Sequence, residues 1–172
     1  MSGSLAQAMA IQFRMPAGIP GVANRLHDAT IEAQILDAAL PPLHYGTGVV
    51  MDAATGQIRA PNATDTAASV YGLFVRPYPT QAGQDPLGTD TPPVSGVCNI
   101  LKRGYMTVKL LGATAAVKGA PVHLGIAASG GGNIAGGITA DAPAAGTIIA
   151  LTNAYFMGAA DPAGNTEIAY NL

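Results

Sequence analysis

The sequence predicts an all-β fold, a jelly-roll-like sandwich or barrel of about nine or ten short strands, preceded by an extended N-terminal arm. Three observations support it. The 172 residues are enough for one domain with a sizeable core. The chain holds 22 glycines and 13 prolines, which disfavour long helices. Short apolar runs alternate with turn residues every ~8–14 residues, a spacing typical of sandwiches and barrels.

Residues 1–29 are predicted to form the arm, and residues 30–172 a single β-rich domain. The prolines of the arm set an extended path, and its glycines allow tight turns and close backbone approach. Two arginines bracket this segment, and residues 1–25 contain no carboxylate, so a pairing with acids on a neighbour is expected. Packing on its own domain remains the alternative. The predicted partner contacts of the arm are Arg14, Met15, Pro16, Ala17, Gly18, Ile19, Pro20, Gly21, Val22 and Arg25.

The first strand of the domain is expected within TIEAQILD, residues 30–37. Ile31, Ala33 and Ile35 alternate with polar residues, which is typical of a half-buried strand with its apolar side toward the core. The composition also permits a helix. Pro41 and Pro42 end either element.

A hairpin is predicted next, with strands at Val49–Met51 and Gln57–Arg59 around a turn at 52–56. Asp52 would bond the turn backbone, and Gly56 would supply a positive φ. After a loop at 61–67, the segment from Val70 to Val75 is the best candidate for a central core strand.

Residues 77–93 form a proline-rich loop without periodicity. Loops of this length inside a compact domain are usually functional or disordered, and we expect this one to reach a neighbouring subunit. The residues predicted to make that contact are Pro77, Tyr78, Pro79, Pro86 and Leu87.

Two strands are predicted at about 94–101 and 105–111, joined by a tight turn at Lys102-Arg103-Gly104. Another strand is expected at about 120–126, before a flexible SGGGN turn. Further short strands are expected at Ile134, Ile138 and the apolar residues of 148–151, and AYFMG and TEIAY close the chain.

Charged residues make up only 10% of the chain, against about 25% in typical domains. Such a surface is poorly solubilised, so part of it is expected to be covered by a partner. A monomer kept soluble by neutral polar residues is the alternative. The net charge of −2 suggests no nucleic-acid partner. No window resembles a membrane span, so no membrane partner is expected.

The sequence offers little catalytic chemistry. His27, His44 and His123 lack partners at metal-ligand spacing, and Cys98 is the single cysteine. Residues 130–135 formally fit G-x-G-x-x-A, but no βαβ pattern surrounds them. We therefore predict no enzymatic activity, no cofactor, no metal and no small-molecule substrate.

Four stretches in order, RMPAGIPGVANR, ATIEAQILD, GTGVVMDAATGQIRAP and VYGLFVRPYPTQ, resemble the structural cement (capsid decoration) proteins of tailed-bacteriophage heads. The resemblance covers about residues 11–82 well and is weaker over 94–172. It implies a virion protein, made in the host bacterial cytoplasm, that binds the capsid exterior across junctions between major capsid proteins. It also implies neighbouring cement subunits, as homodimers or homotrimers, and neither catalysis nor cofactor.

Two alternative functions are also compatible with the sequence. One is another virion structural component, such as a β-sandwich of the tail or baseplate. The other is a small carbohydrate-binding β-domain, which the absence of tryptophan disfavours.

Overall fold

The computed structural model describes residues 17–77 and 91–172. Within these ranges the chain forms ten strands and three single-turn 3-10 helices, with no α-helix. No helix in the described residues is long and apolar enough to cross a membrane. The strands are β1 (Ala23–Asn24), β2 (Thr30–Leu36), β3 (Gly48–Met51), β4 (Ile58–Arg59), β5 (Val70–Val75), β6 (Gly96–Leu111), β7 (Pro121–Gly125), β8 (Ile138–Thr139), β9 (Ile148–Phe156) and β10 (Asn165–Tyr170).

The sheet is organised around β6, which takes part in two closed circuits of strands. In the N-terminal circuit, the first half of β6 pairs with β2 and β5, and β4 and β3 complete the ring. In the C-terminal circuit, its second half pairs with β8 and β10, and β7 and β9 complete the ring. The prediction of an all-β sandwich or barrel is confirmed.

The predicted tight turn at Lys102-Arg103-Gly104 is wrong, because β6 runs unbroken for 16 residues through this point. The strand changes partners here: Arg103 pairs with Thr30 of β2, whereas Gly104 pairs with Tyr170 of β10. Gly104 has a φ of 134°, and a Cβ there would lie 3.1 Å from the Cα of Ala29. Gly104 is therefore needed because another backbone segment lies close to this strand, and not because the chain turns here as the local sequence predicted.

The predicted hairpin is present as β3 and β4, paired antiparallel. The Asp52 carboxylate accepts hydrogen bonds from the backbone N–H groups of Ala54 and Thr55, and Gly56 has a φ of 69°. Arg59 then binds Asp65 with two hydrogen bonds, of 2.8 and 2.9 Å, which ties β4 to the loop that follows it. The core strand predicted at 70–75 is β5.

The C-terminal strands are partly as predicted. The strand expected near 120–126 is β7, and TEIAY lies within β10. The apolar residues of 148–151 and the AYF segment, taken from the sequence as separate strands, form the continuous strand β9. Ile134 lies outside any strand.

Two hydrophobic clusters lie on opposite sides of β5, because successive residues of a strand point to opposite faces. Leu73 and Val75 enter the large core, whereas Phe74 enters the small core. The other buried members of the large core are Leu101, Met106, Val108, Ala116, Val122, Leu124, Ile138, Leu151, Ala154, Phe156, Ile168 and Tyr170. Those of the small core are Leu36, Tyr45, Val49, Ile58, Cys98 and Ile100.

Candidate interaction surfaces

The described part of the predicted arm, residues 17–29, lies on its own domain. The N–H of Gly21 donates to the carbonyl of Thr107 (2.8 Å), and the N–H of Thr107 donates to the carbonyl of Val22 (3.0 Å). On the other side, the N–H of Arg76 donates to the carbonyl of Gly21 (2.7 Å). β1 extends this pairing along β6. The segment thus bridges β6 and the end of β5.

Polar side chains anchor the same segment to the acidic C-terminal region. The Arg25 guanidinium lies 3.1 Å from a carboxylate oxygen of Glu167 and stacks 3.9 Å above the Tyr105 ring centroid. Asn24 donates to the same carboxylate, and the N–H of Ala17 donates to Asp161 (3.2 Å). The acid that pairs with Arg25 therefore belongs to the same chain.

The backbone at Gly21 packs directly against the backbone at Gly46. A Cβ on Gly21 would lie 2.5 Å from the Cβ of Tyr45 and 3.0 Å from the amide nitrogen of Gly46. Its φ is 86°, a conformation that other residues adopt only with strain. This is the physical reason for the glycine that follows Pro20, and it fixes the position of the arm.

Of the remaining predicted arm contacts, Gly18 accepts a hydrogen bond at its carbonyl from the Asn165 amide (3.2 Å). The others form two groups. Ile19 is 53% exposed, and with Pro20 it forms one wall of a groove of about 470 Å³. That groove also reaches Tyr45 and Lys109. Arg14, Met15 and Pro16 lie outside the described residues. Binding of the arm to a partner stays a prediction.

Of the loop predicted to reach a neighbouring subunit, the structure describes the two ends. Pro77 is exposed just after β5 and lines a small cleft with Pro93 and Val97. Tyr78, Pro79, Pro86 and Leu87 lie outside the described residues. The inter-subunit role of this loop also stays a prediction.

The strand β2 is where the sequence expected it, but its faces are reversed. Ile31 and Ile35 are 39% and 55% exposed, and Ala33 between them is exposed as well. Val97 of β6, which pairs with Ile35 of β2, is 72% exposed. Together these four residues form what we call the outer stripe. The expectation that the apolar side of β2 faces the core is therefore wrong.

The inward side of β2 carries a hydrogen-bonded polar cluster centred on Tyr71. The Tyr71 hydroxyl donates to Glu32 (2.6 Å) and accepts from the Gln34 amide (2.9 Å). The hydrogen bond to Glu32 raises the pKa of Tyr71 above its ordinary value. Lys102 lies 3.4 Å from the ring centroid, and burial lowers its pKa. The Tyr71 hydroxyl gives both Glu32 and Gln34 a hydrogen-bond partner, which favours their inward placement. No sequence pattern marks that arrangement.

The described residues do not form a recognisable catalytic centre. In this part of the chain, no group of three or more His, Cys, Asp and Glu side chains could hold a metal ion. Burial raises the pKa of Cys98 to about 11, so its thiol is protonated at neutral pH. The pKa of Asp141 is lowered to about 2 by hydrogen bonds, first from the Thr114 side chain and then from nearby backbone groups and Asn133. That carboxylate binds two loops together.

Comparison with known proteins places the chain in a family. The XM1 gp53 minor capsid protein family matches residues 8–170, and this chain belongs to that family. Among solved structures, a chain from "The capsid of Myoviridae Phage XM1" has a TM-score of 0.66 and 21% sequence identity. The match covers 99% of this chain and 98% of that chain. No curated protein sequence matches.

These findings establish the broad function. The chain is a structural component of a bacteriophage virion and belongs with the proteins of the head. The resemblance to phage head proteins, drawn from four sequence stretches, is confirmed.

Proposed function

We propose that this chain is a cement protein. It binds the outer surface of the phage capsid across the junctions between adjacent major capsid proteins and so stabilises the head. The observation that carries the proposal is membership of a minor capsid protein family over residues 8–170, nearly the whole chain. A protein with this role needs surfaces that are complementary to the capsid shell.

The physical mechanism is linkage. A protein that binds the assembled shell better than free coat subunits shifts the equilibrium toward the shell. Each contact need only be modest, because one bound unit that spans two capsomers engages both at a high effective concentration. Many copies then stabilise the head without any single tight interface.

The surface of the described residues supports a role in assembly. Several large apolar side chains are exposed, among them Leu26, Leu43 and Val117. Charged residues are scarce in the whole chain, so few charges would have to lose their hydration when these apolar side chains meet a partner. We further infer that the protein has no enzymatic activity. The titratable groups that do cluster in the described residues support this, since Glu32 and Arg59 are each engaged in hydrogen bonds that hold the fold together.

Decoration of heads tests the proposal directly. Heads made without this protein are mixed with the purified chain, and electron cryo-microscopy then locates the bound chain. In a second measurement, decorated and undecorated heads are heated, and the temperature at which each releases its packaged genome is recorded. We expect density on the outer surface over coat-protein junctions, and genome release at a higher temperature than in undecorated heads. Density on the tail or baseplate, or on the inner surface of the shell, would contradict the proposal.

The role of the arm is tested by a truncation chosen from the structure. Deletion of residues 1–16 removes Arg14, Met15 and Pro16 and leaves every described contact of residues 17–29 in place. We expect the truncated protein to remain folded and to lose most of its occupancy on heads. Arg25→Ala is the comparison variant. The sequence placed Arg25 among the partner contacts, but its guanidinium binds Glu167 of its own chain, so we expect this variant to decorate heads normally. Full occupancy by the truncated protein would show that the arm is dispensable.

A further inference from the structure

The groove beside the arm is built from several parts of the fold. One wall is Ile19 and Pro20, and the others include the segment 44–47 before β3, Leu111 of β6 and Ile138 of β8. The arm is hydrogen-bonded to β6 and to the residue after β5, so the groove is part of the folded domain. Its volume of about 470 Å³ lies within the range of ~300–1,000 Å³ that is usual for ligand-binding pockets. A few residues of a partner would fill it.

The described residues that line this groove carry an excess of positive charge. They include Lys109 and Arg76, but no Asp or Glu. Asp161 is close in sequence to the lining residue Asn165, but its carboxylate accepts hydrogen bonds from the N–H groups of Ala17 and Asn165 and does not line the groove. The groove therefore favours a negatively charged group.

Lys109 is the cation in a position to bind that group. It is exposed on the regular strand β6, opposite Asn165 of β10. Its Nζ donates to the carbonyl of Ala163, and an ammonium group has further donors to offer. Among the described carboxylates, none forms a salt bridge with it. Arg76, by contrast, is buried and stacks 4.9 Å from the Tyr45 ring centroid, so it adds positive charge from within.

The apolar walls indicate what accompanies the negative charge. Ile19 is 53% exposed, and Leu111 and Ile134 are partly buried. A small inorganic anion would leave these side chains in water. A peptide with an apolar residue beside an Asp or Glu would cover them while its carboxylate reaches Lys109, and burial of apolar surface favours that arrangement.

We propose that this groove binds an acidic segment of the major capsid protein. An Asp or Glu of that segment forms a charge-assisted hydrogen bond with Lys109, and a neighbouring apolar side chain packs against Ile19. The inference rests on the proposed function for the identity of the partner, and it adds the contact site and its chemistry. Because the arm forms one wall, a segment bound here also stabilises the arm on its domain.

Charge reversal tests the contact, with a matched control. Lys109→Glu reverses the charge in the groove, and Lys118→Glu makes the same change at an exposed lysine that does not line it. We expect Lys109→Glu to weaken binding to heads at least ~10-fold and Lys118→Glu to bind as the wild type does. Lys109→Arg keeps the charge and should retain most of the binding. Circular dichroism checks that all three are folded. Equal binding by the two glutamate variants would overturn the proposal.

A zero-length cross-link identifies the group that Lys109 contacts in the wild-type protein. Carbodiimide joins an amine to a touching carboxylate as an amide, and mass spectrometry of decorated heads then identifies the linked pair. We expect Lys109 to be joined to an Asp or Glu of the major capsid protein that has an apolar neighbour. A link to Asp85 or Asp90 of this chain, or to a second copy, would overturn the proposal because it identifies a different occupant.

Peptides separate this proposal from the proposed function. Overlapping synthetic peptides that cover the major capsid protein of the same phage are titrated into the purified chain, and NMR follows the methyl signals of Ile19 and Leu111. If Lys109→Glu decorates heads as well as the wild type does, the groove contact fails and cementing stands. Suppose instead that the wild type does not decorate heads, yet an acidic peptide shifts these signals in the wild type and not in Lys109→Glu. The groove contact then stands and cementing fails.

Discussion

The two circuits that share β6 differ in which residues of an alternating strand face inward, the apolar ones or the polar ones. In the C-terminal circuit, inward residues such as Met106, Phe156 and Ile168 are fully buried in the large core. In the N-terminal circuit, β2 directs Glu32 and Gln34 inward and its isoleucines outward. The first arrangement stabilises the fold, and the second leaves apolar area exposed on the surface. Apolar residues on a strand therefore do not by themselves identify the core.

The largest expected effect tests the first arrangement. Phe156→Ala should lower the free energy of unfolding by about 4 kcal/mol, because it leaves a cavity in the large core. Ile35→Thr on the outer stripe should cost less than ~0.5 kcal/mol when measured on dilute protein. Denaturant titration of both variants gives the comparison. Similar losses would show that the outer stripe is part of the folded core.

A second test concerns the arm, which joins the two circuits. Gly21→Ala should cost about 2–4 kcal/mol, because the new Cβ would overlap Tyr45 at a positive φ. Gly56→Ala is the control: its φ is 69°, but nothing lies within 4 Å of a Cβ there. It should cost only about 1 kcal/mol. Thermal unfolding measures both variants. If Gly21→Ala and Gly56→Ala lose the same stability, backbone strain restricts position 21, and the close packing against Gly46 does not.

The polar interior of the N-terminal circuit gives a smaller effect. Tyr71→Phe removes the hydroxyl that links Glu32 and Gln34 and leaves both short of a partner. A loss of about 1–2 kcal/mol is expected. Its control is Tyr155→Phe, since Tyr155 is half exposed on β9. An unchanged stability in Tyr71→Phe would mean that water replaces the hydroxyl and that this side of β2 is not sealed.

The smallest effect depends on pH and lies in the C-terminal circuit. The pKa of Asp141 is about 2 in the folded protein, below its ordinary value of 3.8. Its ionised form therefore stabilises the fold above pH 4, and this contribution is lost as the pH falls toward 2. Because the group is partly exposed, we expect only about 1 kcal/mol. Asp141→Asn should be less stable than wild type at pH 6, and the difference should shrink at pH 2.5.

The sequence predicted what depends on local chemistry. Asp52 and Gly56 specify the hairpin turn through hydrogen bonds and a positive φ within five residues. The strand period of β2 was also evident. Which side of β2 faces inward depends on Tyr71, 39 residues away from Glu32, and no local pattern encodes that partner.

The same limit explains the error at β6 and the open question about the arm. Lys102-Arg103-Gly104 has the composition of a turn, yet the backbone of Ala29 approaches Gly104 and keeps the strand extended. Residues 17–29 have the composition of a free arm, but Thr107 and Glu167 bind them. In each case the deciding contact is distant in sequence. Of the predicted site, the described residues of the arm are placed, and their partner role remains a prediction.

The pairing of β6 also determines when the protein can fold during synthesis. Met106 pairs with Ala23 on one side and with Ile168 on the other, so strands from both ends of the described chain meet on one residue. Contacts between distant segments form slowly, because a long loop must close first. The C-terminal circuit cannot close until β10 has left the ribosome. The C-terminal circuit therefore forms only after all of its strands have been synthesised, whereas every strand of the N-terminal circuit is available as soon as β6 has emerged.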